Sequence, residues 1–362
     1  MITFVLVAFL VLGAYSVLII RFRLALKRLT VQNETNISLP SISVVVALKN
    51  EEINVSRLLK GLQKIDYPGD LDFIFVNDNS TDNTQIQLQK YLFSGATIIN
   101  NDGEGKKKAI ESGVKASKAE WIAVTDADCL VGKHWLSAMM KAKDADTNMI
   151  LGPVFIDPSK KDVFDLQKLE FQALQGATAG SAALSQPISA NAANMLFKRH
   201  SFIDVKPYHN NWDLKTGDDQ FLMMAISKSN PKGVTYAFIK DAIVQTMPVK
   251  TIRNYWKQRI RWASKGGSYT DWNILFTGII VFVMSLISIK CWVFGLYTKR
   301  YFLFIIPLIK MAVDYFLTQK MSRFGNQKIR FLNYFITGVI YPFVVVVAVL
   351  LGFAKGASKS KG

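Results

Sequence analysis

Apolar positions in this chain are bunched at its two ends and dispersed in between. Residues 2–20 form a nearly unbroken hydrophobic run, and three more runs, 273–289, 301–317 and 331–353, crowd the C-terminal part. Helices of this length cross a hydrocarbon core of about 30 Å, so the pattern predicts one N-terminal and about three C-terminal transmembrane helices. Between residues 41 and 247, short apolar runs alternate with helical stretches. Residues 42–47 (ISVVVA), 73–76, 96–99 and 121–124 read as buried strands. Residues 52–64, 81–93 and 106–117 read as helices, with Ser80 and Asp82 available to cap the second. This alternation predicts an α/β domain of parallel βαβ units with helices on both faces of the sheet. Ligands of such sheets bind beyond the carboxyl ends of the strands. Polar residues fall at those ends: Asn50 and Glu51, Asp78 and Asn79, Asp126 and Asp128. Carboxylates gathered at one edge repel, unless a cation or ligand donors neutralise them. Two further segments, 163–176 and 250–264, read as amphipathic helices at a lipid surface. The limits are an anchor over 1–21, the α/β domain over 40–248, an interfacial helix over 249–272, apolar helices over 273–354 and a basic tail over 355–362.

Charge adds an orientation. Lys and Arg number 44 against 27 Asp and Glu, a formal net charge of +17. Such a balance suits nucleic acid, anionic lipid or phosphorylated ligands, but basic residues also gather on the cytoplasmic side of membrane spans. Arg21, Arg23, Lys27 and Arg28 follow the first run, with no basic residue before it and no small-residue cleavage site after it. The expectation is a retained anchor in the cell membrane with the α/β domain in the cytoplasm. Lys320, Arg323, Lys328 and Arg330 agree with it, whereas Lys355, Lys359 and Lys361 fall on the opposite side if the spans number four. Residues 289–300 read either as a loop or as a segment dipping into the membrane. Lys310 and Asp314, one helical turn apart in the third run, are expected to pair, because an isolated charge at that depth is costly. Cys129 and Cys291 exclude a disulfide framework, and His134, His200 and His209 form no metal-ligand motif. No nucleic-acid partner is expected.

Four segments carry candidate chemistry. Asp126 and Asp128 (TDAD) end the strand WIAV, where both carboxylates can approach one hard cation, Mg2+ or Mn2+. The alternative is a solvated turn. Asp218 and Asp219 open a helix in TGDDQFL. Capping accounts for one carboxylate there, and the other can act as a general base toward a hydroxyl. In QRIRW, Gln258, Arg259, Arg261 and Trp262 lie on a helix whose Arg253, Lys257 and Arg261 recur at four-residue spacing. That face meets lipid headgroups, or Arg259 or Arg261 grips a diphosphate. Lys106 begins a helix without the spaced glycines of a phosphate-binding P-loop, and serves either a phosphate group or a solvated basic face.

Taken in order, VVVALKNEE, VNDNSTDNT, TDADC and TGDDQFL followed by QRIRW resemble the motifs of family 2 glycosyltransferases. The likeness is strongest to the membrane-anchored group related to ceramide glucosyltransferase and to cellulose, hyaluronan and poly-N-acetylglucosamine synthases, and it runs over residues 41–266. It implies a GT-A fold, a Rossmann-like domain that transfers sugars from nucleotide diphosphates. By this resemblance Ala47, Asn50 and Glu51 make the first nucleotide contact, and Asp78 reads the base. Lys106 is the lysine before the third helix, and Asp126 and Asp128 stand near diphosphate and metal. Asp219 is the general base with Asp218 as its neighbour, and Gln258, Arg261 and Trp262 close on donor and acceptor. Residues 191–194 (NAAN) stand where the family often has a Gly-Ala-Asn acceptor loop. Asn77, Asn79 and Asp218 depart from the commoner Asp, Gly and Glu, which leaves the reaction type intact and the sugar and nucleobase open.

The expected activity is therefore inverting transfer from a nucleotide-diphosphate sugar, a UDP-sugar foremost, to a hydroxyl of a lipid or lipid-linked glycan at the cytoplasmic membrane face. A processive polysaccharide synthase is the nearest alternative. A nucleotidyltransferase and a noncatalytic membrane scaffold are the alternatives from other classes.

Overall fold

The structure, a computed structural model, describes residues 1–29, 39–159, 166–214 and 216–359. Lys361 of the expected tail and residues 163–165 of the expected amphipathic segment lie outside the described residues. In chain order the elements run α1 (Ile2–Ala25), β1 (Ile42–Leu48), α2 (Glu52–Leu62), β2 (Leu71–Asn77), α3 (Thr84–Tyr91), β3 (Ala96–Asn100), α4 (Lys106–Ala116), β4 (Trp121–Val124), α5 (Trp135–Met140), β5 (Met149–Leu151) and β6 (Val154–Ile156). Then come α6 (Leu166–Ala182), β7 (Met195–Lys198), α7 (Arg199–Val205), α8 (Asp218–Ser229), β8 (Val234–Tyr236), β9 (Val244–Thr246), α9 (Ile252–Ala263), α10 (Trp272–Tyr297), α11 (Ile305–Phe324) and α12 (Phe331–Lys359). They group into two compact units.

The first unit comprises Lys27–Asp157 and Ala182–Met247. Its main sheet has the order β3-β2-β1-β4-β7-β5-β8. The run ISVVVA makes β1 because both its faces are covered, and Ile42, Val44, Val45 and Val46 are fully buried. β1 pairs in parallel with β2 and with β4, and β2 with β3, as the alternating pattern predicts. β7 departs from it, running antiparallel to both β4 and β5. A second sheet pairs β6 with β9. β5 to β9 have only three or four residues and lie outside the regular strand–helix alternation that marks β4, itself four residues long, which is why they escape a sequence reading. The register sets Leu48 opposite Asn77 and Val45 opposite Val124, so β1, β2 and β4 all deliver their carboxyl ends to one edge. α4 lies close on this layer: a Cβ on its Gly113 would meet Val45 Cγ1 at 2.4 Å. The N-cap position of α3 is Asn83, with no side-chain cap bond, so neither expected residue caps the helix; Asp82, one residue earlier, accepts from Thr84 N at 2.9 Å. Ser80 instead accepts from Asn50 N at 3.1 Å.

The second unit comprises Met1–Leu26, Pro158–Ser181 and Pro248–Gly362. The sheet-bearing unit thus leaves out Pro158–Ser181, which the sequence limits 40–248 take in. Among the described residues four helices are long and apolar enough to cross a membrane: Ile2–Arg28, Trp272–Tyr297, Tyr301–Phe324 and Phe331–Ala354. α1 packs on α10 and α11, and α10 on α12. Large apolar side chains such as Leu10 (76% exposed) and Leu350 (59%) face outward, as lipid contact requires. Residues 289–300, read from sequence as a loop or a dip into the membrane, mostly continue α10, which runs unbroken to Tyr297. Lys310 and Asp314 pair at 2.6 Å, and Tyr15 of α1 donates to Asp314 at 2.7 Å. The charge pair is thereby tied across two helices, where a lone ion would be costly.

Candidate active site

The carboxyl edge of the sheet gathers the acidic side chains. Asp126 and Asp128 leave β4, and their carboxylates lie with the Cys129 thiol within 4.8 Å of one another. Asp128 is fixed from several sides. Its carboxylate contacts Thr246 Oγ1 and Cys129 Sγ, each at 3.4 Å, and its carbonyl accepts from Arg57 Nη2 at 2.6 Å. Burial raises the Asp128 pKa above its ordinary value, and the neighbouring Asp126 raises it further. Burial first, then Asp126 and Asp128, also push the Cys129 thiol up, which holds its sulfur protonated. Two hard carboxylates suit Mg2+ or Mn2+ through oxygen. The acidic residues therefore fit a divalent cation.

Glu51, just after β1, feels the same cluster. Burial is the main cause of its raised pKa; the Asn54 hydrogen bond opposes it, and Asp128 and Asp126 add to it.

Lys106, at the first position of α4, joins this edge to α8. Its ammonium lies 2.6 Å from Asp126 and 3.4 Å from Asp218. Desolvation is the largest single influence on Lys106 and opposes its charge, but Asp126, Asp218 and Asp219 together outweigh it and raise its pKa well above the ordinary value. At α8 the cap position is Gly217, with φ +100° and no side-chain cap bond. The capping alternative for Asp218 is thus corrected: its carboxylate is buried and faces Lys106. Asp219 is less buried, and its Oδ1 accepts from Gln220 N at 2.8 Å. Gln220 in turn ties down the preceding loop by donating to Ile188 O at 3.1 Å and accepting from Ala190 N at 3.3 Å.

The remaining nucleotide candidates of this unit sit around the loops of the same edge. Asp78 is 3% exposed; it accepts from Gly105 N at 2.9 Å and from Asn101 Nδ2 at 2.6 Å. It thereby braces the turn that presents Lys106. Asn50 has φ +57° and accepts from Thr81 N at 2.8 Å. Ala47 lies in β1 opposite Val76. In the NAAN loop, Asn194 is buried and bonds to Pro153 O, Ala242 O and Trp135 Nε1, a bracing role within the core. Arg57 and Thr246 have no counterpart in the sequence reading. One sits within a helix and the other ends a three-residue strand, and no local motif marks either.

Gln258, Arg259, Arg261 and Trp262 belong to α9, in the unit of apolar helices. Here the structure corrects the assignment of Arg259 to a diphosphate. Its guanidinium is 5% exposed and makes a two-pronged pair with Glu170 of α6, Nε to Oε1 at 2.6 Å and Nη2 to Oε2. Nη1 donates to Gln258 at 2.5 Å, and the group lies 4.3 Å and 4.4 Å from the ring centres of Tyr255 and Trp262. Tyr255 and Tyr341 also donate to Glu170, at 3.1 and 3.3 Å. Arg261, by contrast, is exposed.

Comparison with known proteins gives a consistent set of likenesses. Residues 43–205 match the family profile described as Glycosyl transferase family 2. The protein named "Probable glycosyltransferase YdaM" of Bacillus subtilis is 28% identical over 242 residues, 64% of this chain and 56% of that protein. A poly-beta-1,6-N-acetyl-D-glucosamine synthase of Staphylococcus epidermidis is 23% identical over 363 residues, 89% of this chain and 85% of the synthase. Among solved structures, the mannosyltransferase PcManGT from Pyrobaculum calidifontis, in complex with GDP-Man and Mn2+, shares the fold with a TM-score of 0.58 at 16% identity. That likeness covers 95% of this chain and 97% of the mannosyltransferase.

Proposed function

We propose, from the premise that residues 43–205 of this GT-A-fold chain are a family 2 glycosyltransferase domain, that the protein is an inverting, membrane-anchored enzyme that moves a sugar from a nucleotide diphosphate to a hydroxyl of a lipid or lipid-linked glycan. The observation that carries this reading is the gathering of Asp126, Asp128, Asp218 and Asp219 about Lys106 at the carboxyl edge of the sheet.

Asp126 and Asp128 are the residues that would hold Mg2+ or Mn2+. A cation bound there offsets the charge that develops on the leaving diphosphate. Lys106 adds a fixed positive charge at the same place and keeps Asp126 and Asp218 from repelling one another. Asp219 takes the proton of the acceptor hydroxyl as it attacks the anomeric carbon from the face opposite the diphosphate, so the configuration inverts. Ala47, Asn50, Glu51 and Asp78 are assigned to the nucleotide, and Gln258, Arg261 and Trp262 to donor and acceptor, on the resemblance of their motifs. With Arg259 engaged by Glu170, Arg261 is the arginine of this signature left for a phosphate.

The basic residues after α1 and between α11 and α12 support a cytoplasmic active site, and the amphipathic helix α9 supports an acceptor delivered from the membrane; α6, read from sequence as a second such helix, is instead buried nearly all round. A second reading, a processive polysaccharide synthase, is favoured by the 89% of this chain that aligns with the Staphylococcus epidermidis synthase.

The test is an assay of the purified full chain against a panel of UDP-, GDP- and dTDP-sugars, with and without Mg2+ or Mn2+. The expected result is release of a nucleoside diphosphate that requires the cation, with one sugar added per acceptor. A ladder of products would favour the synthase reading, and release of inorganic diphosphate would replace sugar transfer by nucleotidyl transfer.

A further inference from the structure

Tyr208, between α7 and α8, ties the acids of the candidate site to the core of the sheet-bearing unit. Its ring packs edge-on against Phe202 of α7 and against Trp212, with ring centres 5.6 and 5.5 Å away. The side chain is 2% exposed, yet it ends in a hydroxyl, which is costly to bury without a hydrogen-bond partner. The partner is the main-chain carbonyl of Asp218, to which Tyr208 Oη donates at 3.2 Å. Burial above all, and then Asp218 and Asp219, push the phenol pKa well above its ordinary value, so the group stays a donor. A phenylalanine would fill the same space. Packing therefore accounts for the ring and not for the hydroxyl.

The carbonyl that accepts this bond belongs to the peptide joining Asp218 to Asp219, and a peptide unit is planar and stiff. Holding its oxygen fixes the plane from which the Asp219 side chain departs. The helix itself supplies little of that hold. The N-cap of α8 is Gly217, with no side-chain cap bond, and glycine is the residue whose backbone turns most freely. Contacts from outside α8 must set the direction of its first turn.

Two adjacent lysines of α4 complete the arrangement. Lys106 faces the Asp218 carboxylate at 3.4 Å. Lys107 is buried; it donates to Asn211 O at 2.6 Å and lies 4.6 Å from the ring centre of Phe221 in α8. Asn211 N in turn donates to Tyr208 O at 2.9 Å. The loop that carries Tyr208 is thus secured to the same helix that presents Lys106.

We propose that Tyr208 is a positioning residue for sugar transfer: its hydroxyl, anchored on the Asp218–Asp219 peptide, sets the direction of the Asp219 carboxylate toward the acceptor hydroxyl. This role rests on the reading of Asp219 as the base. The hydroxyl touches none of the groups assigned to the nucleotide or the cation, so its loss should appear in the chemical step and not in donor binding.

The test is steady-state transfer by the purified full chain, with Mn2+ and the UDP-, GDP- or dTDP-sugar on which the wild type turns over. Tyr208→Phe is expected to lower kcat by roughly 10- to 100-fold, the scale of a small misplacement of a reacting group, with the donor KM within about twofold of wild type. The control is Tyr67→Phe. Tyr67 is also buried, and its hydroxyl donates to Pro40 O at 2.7 Å, ahead of the amino end of β1 and so away from the acids. It should lose stability to a similar degree and keep its kcat. On the Asp219→Asn background, adding Tyr208→Phe should lower the residual rate by less than about twofold, because there is no base left to aim. Wild-type kcat in Tyr208→Phe, a matching loss in Tyr67→Phe, a raised donor KM in place of a lowered kcat, or the same fold-loss on both backgrounds would each overturn the proposal while leaving Asp219 as the base. Wild-type turnover in Asp219→Asn, or a wild type that transfers from none of these sugars, would instead remove the reading beneath it, and the role of Tyr208 with it.

Discussion

Asp219→Asn is expected to lower turnover by roughly 10^2- to 10^4-fold, the usual contribution of a general base, while nucleotide affinity stays within about twofold of wild type. The two adjacent acids at the start of α8 have different surroundings. Asp218 is 5% exposed and turned toward Lys106, 3.4 Å away. Asp219 is less buried, in the first turn of a helix whose N-terminal field favours negative charge, and is oriented by the amide of Gln220 at 2.8 Å. Reach toward an acceptor hydroxyl therefore belongs to Asp219, and the asparagine keeps its shape while removing the basicity. Single-turnover kinetics alongside equilibrium nucleotide binding separate the two effects. Wild-type turnover in the variant would remove Asp219 from the role of base.

Glu170→Gln is expected to destabilise the unit of apolar helices by about 3–5 kcal/mol, the usual cost of breaking a buried ion pair from one side. The reason is the crowding around one carboxylate. Glu170 receives two bonds from Arg259 and one each from Tyr255 and Tyr341, so α6, α9 and α12 are joined through a single side chain. Removing its charge leaves the Arg259 guanidinium buried without a counter-ion among the described residues, beside Gln258 and the rings of Tyr255 and Trp262. Thermal unfolding in detergent should show a midpoint lower by on the order of 5–15 °C. The double variant Glu170→Leu, Arg259→Met should recover a large part of the loss, since an apolar pair replaces both charges. Arg261→Gln, which removes an exposed side chain on the same helix, should leave the midpoint unchanged and lower transfer. If Glu170→Gln unfolded at the wild-type temperature, the pair would not be the strut that joins these helices.

The contrast between Arg259 and Arg261 shows where reading a sequence stops. Both lie in QRIRW, and helical spacing alone sets them on different faces without saying which face is covered. The partner that decides it, Glu170, is 89 residues distant in sequence and stands in a helix that no motif marks. The apolar spans and the strands β1 to β4 were legible because long apolar runs and buried parallel strands each have a pattern of their own. So was the common edge of the acidic residues, since parallel strands end on the same side. The antiparallel turn of β7 was not legible, because its direction is set by tertiary pairing with β4 and β5 and not by its four residues. The roles of Arg57 and Thr246 beside Asp128 depend on contacts across 71 and 118 residues, which local chemistry does not reveal. Lys106 was a borderline cation in the sequence, serving phosphate or solvent equally well. Its two carboxylate partners fix it at the edge where donor chemistry is expected.

The most direct test of the central claim is electron paramagnetic resonance of Mn2+ bound to the purified full chain, titrated with UDP and with GDP. If Asp126 and Asp128 hold the cation against a diphosphate, one of the nucleotides should tighten Mn2+ binding and add phosphorus coupling to its signal, and Asp128→Asn should abolish both effects. A Mn2+ signal indifferent to both nucleotides, or equally responsive in Asp128→Asn, would contradict the account.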